Sequence, residues 1–506
     1  MTLLGIDVGT TGVKALLFDP ATNTDYIAHQ SYKLILPEAN YVEQDPQRIW
    51  EATKQAIREA VRKAGGRVSV TSLSLSSQGG TLIPLGKYGE PVGNAIVWMD
   101  HRPREETIGL REKFGDDFFY LKTGWRLIGC LPLLQICWLR EKRPDFFEKV
   151  EKFAFVGDYI TYKLSEKWVI DPSSAAITML YDLRKGTWDE ELLEIAGISK
   201  SQLPKISESG EALGCVSSFM KEELGLSGGK VVVSNGGHDQ YCAALGAGAL
   251  KEGDLLLSGG TAWVLLFTLN NLIFDTKSYL SPGRHVVRGR WGLLSSIPAG
   301  GAGVNWFKSS WSYFVKGKLD EREFYEILEN DSRKIPAGCE GLLFFPHFVG
   351  AGAPTWEALS RAVILGLSLH HEPSHVFKAL LEGVGFEVVW NVRTLESLGV
   401  NVNSVSMIGG ATKSSIWPQM ISDMLNLPLK VPRIQEAACV GAAILAGVGA
   451  NVFHDCKEGV EQLVSDLSSI YPDESNTERY KNLFPLYQRS FWKLRKVFTD
   501  MGKALP

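Results

Sequence analysis

Disulfide and zinc chemistry have little to draw on in this chain. Its seven cysteines (Cys130, Cys137, Cys215, Cys242, Cys339, Cys439 and Cys456) are scattered, and none stands in CxxC spacing. That speaks against a disulfide framework or a zinc ribbon and fits buried thiols in a reducing cytoplasm. No uncharged apolar run reaches the length of a membrane span, and no basic start precedes a longer apolar stretch, so neither a span nor a secretory signal is expected. No charge of one sign dominates. A net charge of −4 without a block of like charges leaves no basic footprint for nucleic acid. No segment is of low complexity. No GxxxxGK(S/T) motif occurs, so any nucleotide site is not a P-loop.

What is present reads as globular α/β protein. With 506 residues, 45% hydrophobic and 22% charged, the chain is expected to form two or more domains. Its most informative stretch is at the start. The apolar run Leu3, Leu4 and Ile6 reaches Asp7, then Gly9-Thr10-Thr11-Gly12, then a second apolar run from Val13 to Phe18. This predicts strand, tight turn, strand. Backbone N–H groups and threonine hydroxyls in such a turn can face an anion. A carboxylate just before it can hold Mg²⁺ or its water shell. A helix is expected over 45–64, stopped by Gly65-Gly66, and strands over 67–76, 95–99 and 229–236. Helices are expected over 131–142 and from Tyr241 to Leu250. From Asp254, LLLSGGTAWVLLFTL repeats the opening pattern around Gly260 and Thr261. Two such hairpins suggest a duplicated fold facing a shared cleft, with a boundary near residue 248. Further helices are expected over 376–398, 415–425, 436–449 and 477–503, and a strand over 404–410.

Polar groups collect at expected strand ends: Gln78, Asp100 with Arg102, and Asp239 with Gln240. Ligands of open α/β sheets bind beyond the carboxyl ends of strands. Carboxylates, amides and a guanidinium there suit a polyhydroxylated substrate, whose buried hydroxyls each need a partner. The plainer alternative is helix capping, by Asp100 near 102–113 and by Asp239 for helix 241–250. Asp239 follows the turn Gly236-Gly237-His238 and is the candidate general base for phosphoryl transfer. Gly300-Gly301-Ala302-Gly303 and Gly409-Gly410-Ala411 would permit close backbone approach to an adenine and ribose. His371-Glu372-Pro373-Ser374-His375 fits the HExxH pattern of zinc peptidases, but Pro373 breaks the helix that pattern needs. It reads as a loop entering helix 374–398.

The ordered motifs together resemble the FGGY family of carbohydrate kinases, in the superfamily of sugar kinases and actin-like ATPases. The resemblance spans about residues 3–490. It rests on GIDVGTTGVKALLFD, IVWMDHR (96–102), GDYITYKL (157–164), IDPSSAAITMLYDL and GGHDQ (236–240). It continues through SGGTAWV (258–264), GAGAPTWEALSRAVILGL (350–367), GGATKSSIWPQMISDML (409–425) and AACVGAAILAG (437–447). It implies two RNase H-like (actin-like ATPase) domains flanking a central cleft: 1–248 as the sugar-binding domain, and 249–506, with a C-terminal helix, as the nucleotide-binding domain. It implies ATP and Mg²⁺ as cofactors, a small sugar as partner, a cytoplasmic location and, by family habit, a homodimer. Carried over by position, Asp239 is the catalytic base and Asp7 bears on Mg²⁺. Thr10, Thr11, Lys14, Gly260, Thr261, Gly301, Asn305, Gly410, Ala411 and Ser414 fall on the nucleotide side. Gln78, Gly79, Gly80, Asp100, Arg102 and Gln240, with Asp239, fall on the substrate side.

The family's subgroups differ at 78–80. Glycerol kinases show an Arg-Glu pair there and xylulokinases Gln-Met-His-Gly, whereas this chain has Gln78-Gly79-Gly80. The Trp98-Met99-Asp100-His101-Arg102 run is shared with pentulose and gluconate kinases, while Gly-Ala-Gly-Ala-Pro at 350–354 leans toward glycerol kinases. The two glycines are expected to leave room for a longer sugar or different hydroxyl contacts. A pentulose, D-xylulose first, is the favoured substrate, with gluconate, ribulose and other polyols as alternatives. A different class, an actin- or chaperone-like ATPase or a sugar sensor without transfer, would share both hairpins but would not need Asp100, Arg102, Asp239 and Gln240.

Overall fold

The computed structural model describes residues 1–66, 68–312, 320–464 and 467–504. Arg67, where the strand expected at 67–76 begins, and the last two residues of the expected second domain lie outside the described residues. Two compact units emerge, and neither is continuous in sequence. The first comprises Met1–Leu250, Thr268–Leu293 and Glu436–Ser465, and the second Lys251–Phe267, Leu294–Gln435 and Asp466–Pro506.

In the first unit, β1 (Thr2–Val8), β2 (Gly12–Asp19) and β3 (Thr24–Ser31) form an antiparallel meander. Leu3 and Leu4 point to opposite faces of β1 and both are fully buried, so the sheet is covered on both sides. This explains why the strand reads as an unbroken apolar run. Helix α1 (Pro46–Lys63) starts where the Asp45 side chain accepts from the Gln47 N–H at 2.8 Å, with Pro46 in the first turn. It covers the sheet with Ile49, Ala56, Ile57 and Ala60. After this crossover, β4 (Val68–Ser77) lies parallel to β1. Helix α2 (Pro172–Ala176), β5 (Val232–Ser234), β6 (Gly237–His238) and α3 (Asp239–Gly246) complete the parts that carry the site. The strand order is β5-β4-β1-β2-β3.

A second sheet, most of it in the second unit, repeats that order. In chain order, its strands and the helices between them are β7 (Asp254–Gly259), β8 (Trp263–Leu269), β9 (Trp291–Ile297), α4 (Gly300–Ser312), α5 (Glu321–Lys334), α6 (Pro373–Ser397), β10 (Ser404–Ile408), α7 (Trp417–Leu425) and β11 (Leu429–Pro432). Its central strands run β9-β8-β7-β10-β11. β7 is antiparallel to β8 and parallel to β10, as β1 is to β2 and β4.

Helix α8 (Ala437–Gly449) returns to the first unit, so the compact bodies differ from a single cut at residue 248. Its small residues explain the return. A Cβ on Gly441 would lie 1.9 Å from the Cys242 carbonyl oxygen, one on Gly246 1.9 Å from that of Ala437, and one on Gly5 1.9 Å from that of Cys439. Only glycine lets α3, α8 and β1 approach this closely. Helix α9 (Glu474–Ala504) lays Tyr480, Phe484, Tyr487 and Phe491 against Phe386 and Trp390 of α6, the spacing of one helical face.

Several local expectations shift. The strand expected at 95–99 is only Ala95–Ile96, and that at 229–236 is β5 alone. Pro103 precedes helix Arg104–Phe114, so Asp100 is not its cap. The Gly300–Gly303 run opens α4. Helix α6 begins at Pro373, so His371 precedes it and His375 falls in its first turn. Among the described residues, no helix is long and apolar enough to cross a membrane.

Candidate active site

Strand register brings the candidate base to the candidate metal-binding carboxylate. Asp7 lies opposite Ser76 across β1 and β4, while Gly237 and His238 lie opposite Ser76 and Ser77 across β6 and β4. Neighbouring strands are about 4.8 Å apart, so Asp7, Gln78 and Asp239 open on the same carboxyl edge of one sheet. Ser76 Oγ donates to Asp7 Oδ1 at 2.8 Å. Burial pushes Asp7 up to about 6, with the Asp239 charge adding to the rise and Lys14 opposing it. Glu436, just before α8, also raises Asp7, and its Oε1 is 4.0 Å from Lys14 Nζ. Burial likewise pushes Asp239 up to about 6, moderated by hydrogen bonds from Gln240. The Asp239 side chain keeps 30% of its surface exposed, so a substrate hydroxyl can reach it.

Asp239 is the first residue of α3, and the cap is His238, whose Nδ1 accepts from the Gln240 N–H at 3.3 Å. Burial holds the imidazole down at about 4. The ring is therefore neutral at pH 7, and its 3.2 Å approach to Asp239 is not an ion pair. The backbone ahead of Asp239 is pinned from a second side. The His238 N–H donates to Ser173 Oγ at 3.0 Å, Ser173 Oγ donates to Asp171 Oδ1, and Asp171 caps α2.

Gln78 is buried, and its Nε2 donates to Gln44 Oε1 at 2.9 Å. Gln44 Nε2 in turn donates to the Thr10 carbonyl at 2.6 Å. Among the described residues, Gln78 Oε1 and Gln240 Oε1 are buried acceptors without a partner. The room expected at the two glycines is already occupied. A Cβ on Gly79 would lie 2.4 Å from the His238 ring and 2.8 Å from Ile177, and one on Gly80, at φ +72°, 3.1 Å from Trp98 Cβ. Trp98 is itself 41% exposed, and its Nε1 donates to Thr10 Oγ1 at 2.9 Å.

Asp100 and Arg102 are brought together, but chiefly with each other. Asp100 is fully buried and accepts from the N–H groups of Val42 at 2.7 Å and Arg102 at 2.9 Å, and from the Arg102 guanidinium. The guanidinium also reaches Glu43 at 2.8 Å and lies 4.0 Å over the Tyr41 ring. Such a pair has little hydrogen-bonding capacity left for a ligand.

The second unit holds a cavity of about 360 Å³ whose wall includes Gly260, Thr261, Gly301, Asn305, Gly410 and Ala411. Lys308 and Tyr325 also line it, with Lys308 Nζ 3.9 Å over the Tyr325 ring. Among the described residues, no carboxylate does. The N–H groups of Gly301 and Ala302 donate to the Gly260 and Thr261 carbonyls at 3.1 and 2.9 Å, tying the start of α4 to the hairpin tip. A Cβ on Gly301 would lie 2.4 Å from Gly260 O, and one on Gly409, at φ +88°, 2.9 Å from Gly259 O. Ser414 is not part of this wall. It is buried, with its hydroxyl donating to Glu329.

Sequence reasoning missed Gln44, Trp98, Ser173, His238, Lys308, Tyr325 and Glu436. The spacing of Asn305 and Lys308, three apart on one helix, was the available signal for Lys308. The others depend on long-range packing.

Residues 2–246 match the N-terminal domain, and residues 255–450 the C-terminal domain, of the FGGY family of carbohydrate kinases. The chain is 29% identical over 500 residues to a xylulose kinase of Bacillus subtilis, covering 99% of this chain and 98% of that protein. It is 30% identical over 466 residues to a glycerol kinase of Thermococcus kodakarensis, covering 91% and 90%. The solved structure of a gluconate kinase from Lactobacillus acidophilus matches with a TM-score of 0.89 at 25% identity, covering 99% of each chain.

Proposed function

The chain belongs to the FGGY family of carbohydrate kinases and is a sugar phosphotransferase, and from that premise we propose that it transfers the γ-phosphate of ATP to a hydroxyl of a pentulose, D-xylulose first. One observation carries the sugar side. Beside a recessed carboxylate, two buried amide oxygens, on Gln78 and Gln240, find no donor among the described residues. Sugar hydroxyls are donors of the right kind, and leaving such acceptors unmet costs about 1–3 kcal/mol each.

In this reading Asp239 accepts the proton of the attacking hydroxyl as that oxygen bonds to the γ-phosphorus and the bond to ADP breaks. The proton stays on Asp239 until water removes it. The His238 cap and the Ser173–Asp171 contacts hold the backbone that carries the carboxylate in place. Thr10, Thr11 and Lys14 serve the transferred phosphate. Gly260, Thr261, Gly301, Asn305, Gly410 and Ala411 of the second unit serve the rest of the nucleotide, and Ser414 supports that site through Glu329. A divalent cation such as Mg²⁺ fits Asp7, whose charge is disfavoured by its surroundings, and when bound it would neutralise phosphate charge. Asp100 and Arg102 act by holding the segment that carries Trp98.

D-xylulose is favoured by the xylulose kinase among the relatives, matched over 99% of this chain. Gluconate is the second reading, because the gluconate kinase structure matches over the whole chain. A coupled ADP-release assay with MgATP tests both, against D-xylulose, L- and D-ribulose, D-gluconate, glycerol, erythritol and L-rhamnulose. The expected result is one strong responder whose product has the mass of a monophosphate. No response above the sugar-free rate would remove the panel sugars as substrates, and a high sugar-free rate would favour an ATPase.

A further inference from the structure

The first unit carries a second concave site, built from lysines and aromatic rings and sharing no residue with the site above. A groove of about 700 Å³ is lined by Lys152, Lys167, Lys200 and Lys205, with Glu166 as the single acid among the described residues. This is a concentration of one charge in a protein whose net charge is −4. Among the described residues, none of the four lysines is in an ion pair, and Lys200 makes only a 3.3 Å contact to Thr187 Oγ1. Like charges gathered in one concavity raise the local potential and favour an anion.

The groove is also held in shape. Trp168 Nε1 donates to Asp158 Oδ2 at 2.8 Å, Lys152 Nζ lies 4.5 Å over the Trp168 ring, and Lys205 pairs through its backbone with Val169. A side cavity of about 260 Å³ shares Lys152 and Trp168 with the groove. Tyr159 lines it, is 1% exposed, and has a hydroxyl without a partner among the described residues. A buried phenol that can both donate and accept is an independent sign of an absent polar ligand group.

We propose that the groove and its side cavity bind a small molecule carrying two phosphate groups, with the phosphates over the lysines and a polar group of the ligand on the Tyr159 hydroxyl. Charge-assisted hydrogen bonds of this kind contribute roughly a tenfold affinity change per lysine.

The test is calorimetric titration of the full chain with inorganic pyrophosphate in the presence of saturating ADP, which keeps the kinase site filled. One binding event per chain is expected to remain. It should weaken roughly 100-fold in the Lys152→Ala/Lys205→Ala double variant, whose KM for ATP stays unchanged. A parallel arm with uridine diphosphate separates the sources. Tighter binding than pyrophosphate, reduced by Tyr159→Phe, marks a nucleotide, and equal binding marks a ligand read by its phosphates alone. Absence of pyrophosphate binding with ADP present, or binding undiminished in the double variant, would overturn the proposal. Neither outcome bears on sugar phosphorylation.

Discussion

The hairpins at Asp7 and at Gly260 stand on the same strand order yet end in opposite ways. Two residues before Gly9 the first strand carries Asp7, and two residues before Gly260 the second carries Ser258. Around the first turn, burial disfavours ionisation of Asp7 and Asp239, and the charges of Asp239 and Glu436 add to the effect on Asp7. Around the second, glycines remove side chains and open a cavity that, among the described residues, no carboxylate lines. One strand order thus carries two unlike edges: the first accepts an electrostatic penalty at buried carboxylates, and the second gives up side chains.

The sharpest way to break this comparison is to change each side by one residue. Asp239→Asn removes the proposed base and should lower turnover roughly 10³-fold while leaving ATP affinity within about twofold, as read by steady-state rates and nucleotide titration. Gly301→Val places a branched side chain where even a Cβ meets Gly260 O at 2.4 Å. It should raise the KM for ATP on the order of 100-fold or block nucleotide binding, with sugar binding by the first unit retained. A base near 6 predicts the next effect. Turnover should fall about tenfold per pH unit below about 6, and a flat profile down to pH 5 would take the role from Asp239.

Smaller effects sharpen the same contrast. Asp7 titrates near 6 in the fold and near about 3.9 in the unfolded chain, so the folded state holds the proton more tightly. The stability gained from this group is fully present below about 4 and lost as pH rises through about 6. Asp7→Asn should therefore raise the stability at pH 7 by on the order of 1 kcal/mol, read as a higher melting temperature, with the difference from the wild type vanishing near pH 4. Ser173→Ala removes one contact to the His238 backbone and should lower turnover only several-fold, about 1 kcal/mol, without changing the KM for ATP.

Much of this was legible before any coordinates. Both hairpins, α1, α6 and α9 follow from local apolar periodicity, and Asp7 and Asp239 stand beside glycine turns that mark strand ends. What escaped depended on contacts between distant segments. Gly79 reads as empty space in one dimension, but the His238 ring fills it from 159 positions away. Asp100 and Arg102 read as ligand groups, yet Val42, Glu43 and Tyr41 absorb most of their capacity. Helix α8 reads as part of the second half, and only the reciprocal glycine contacts with α3 and β1 return it to the first.

The most direct test is the rate of ADP formation from MgATP with and without D-xylulose, in the wild type and in Asp239→Asn. The account predicts a strong sugar-dependent rate in the wild type, with phosphorylated sugar formed one for one with ADP, and neither in the variant. A sugar-dependent rate that survives in Asp239→Asn within about tenfold of the wild type would contradict it.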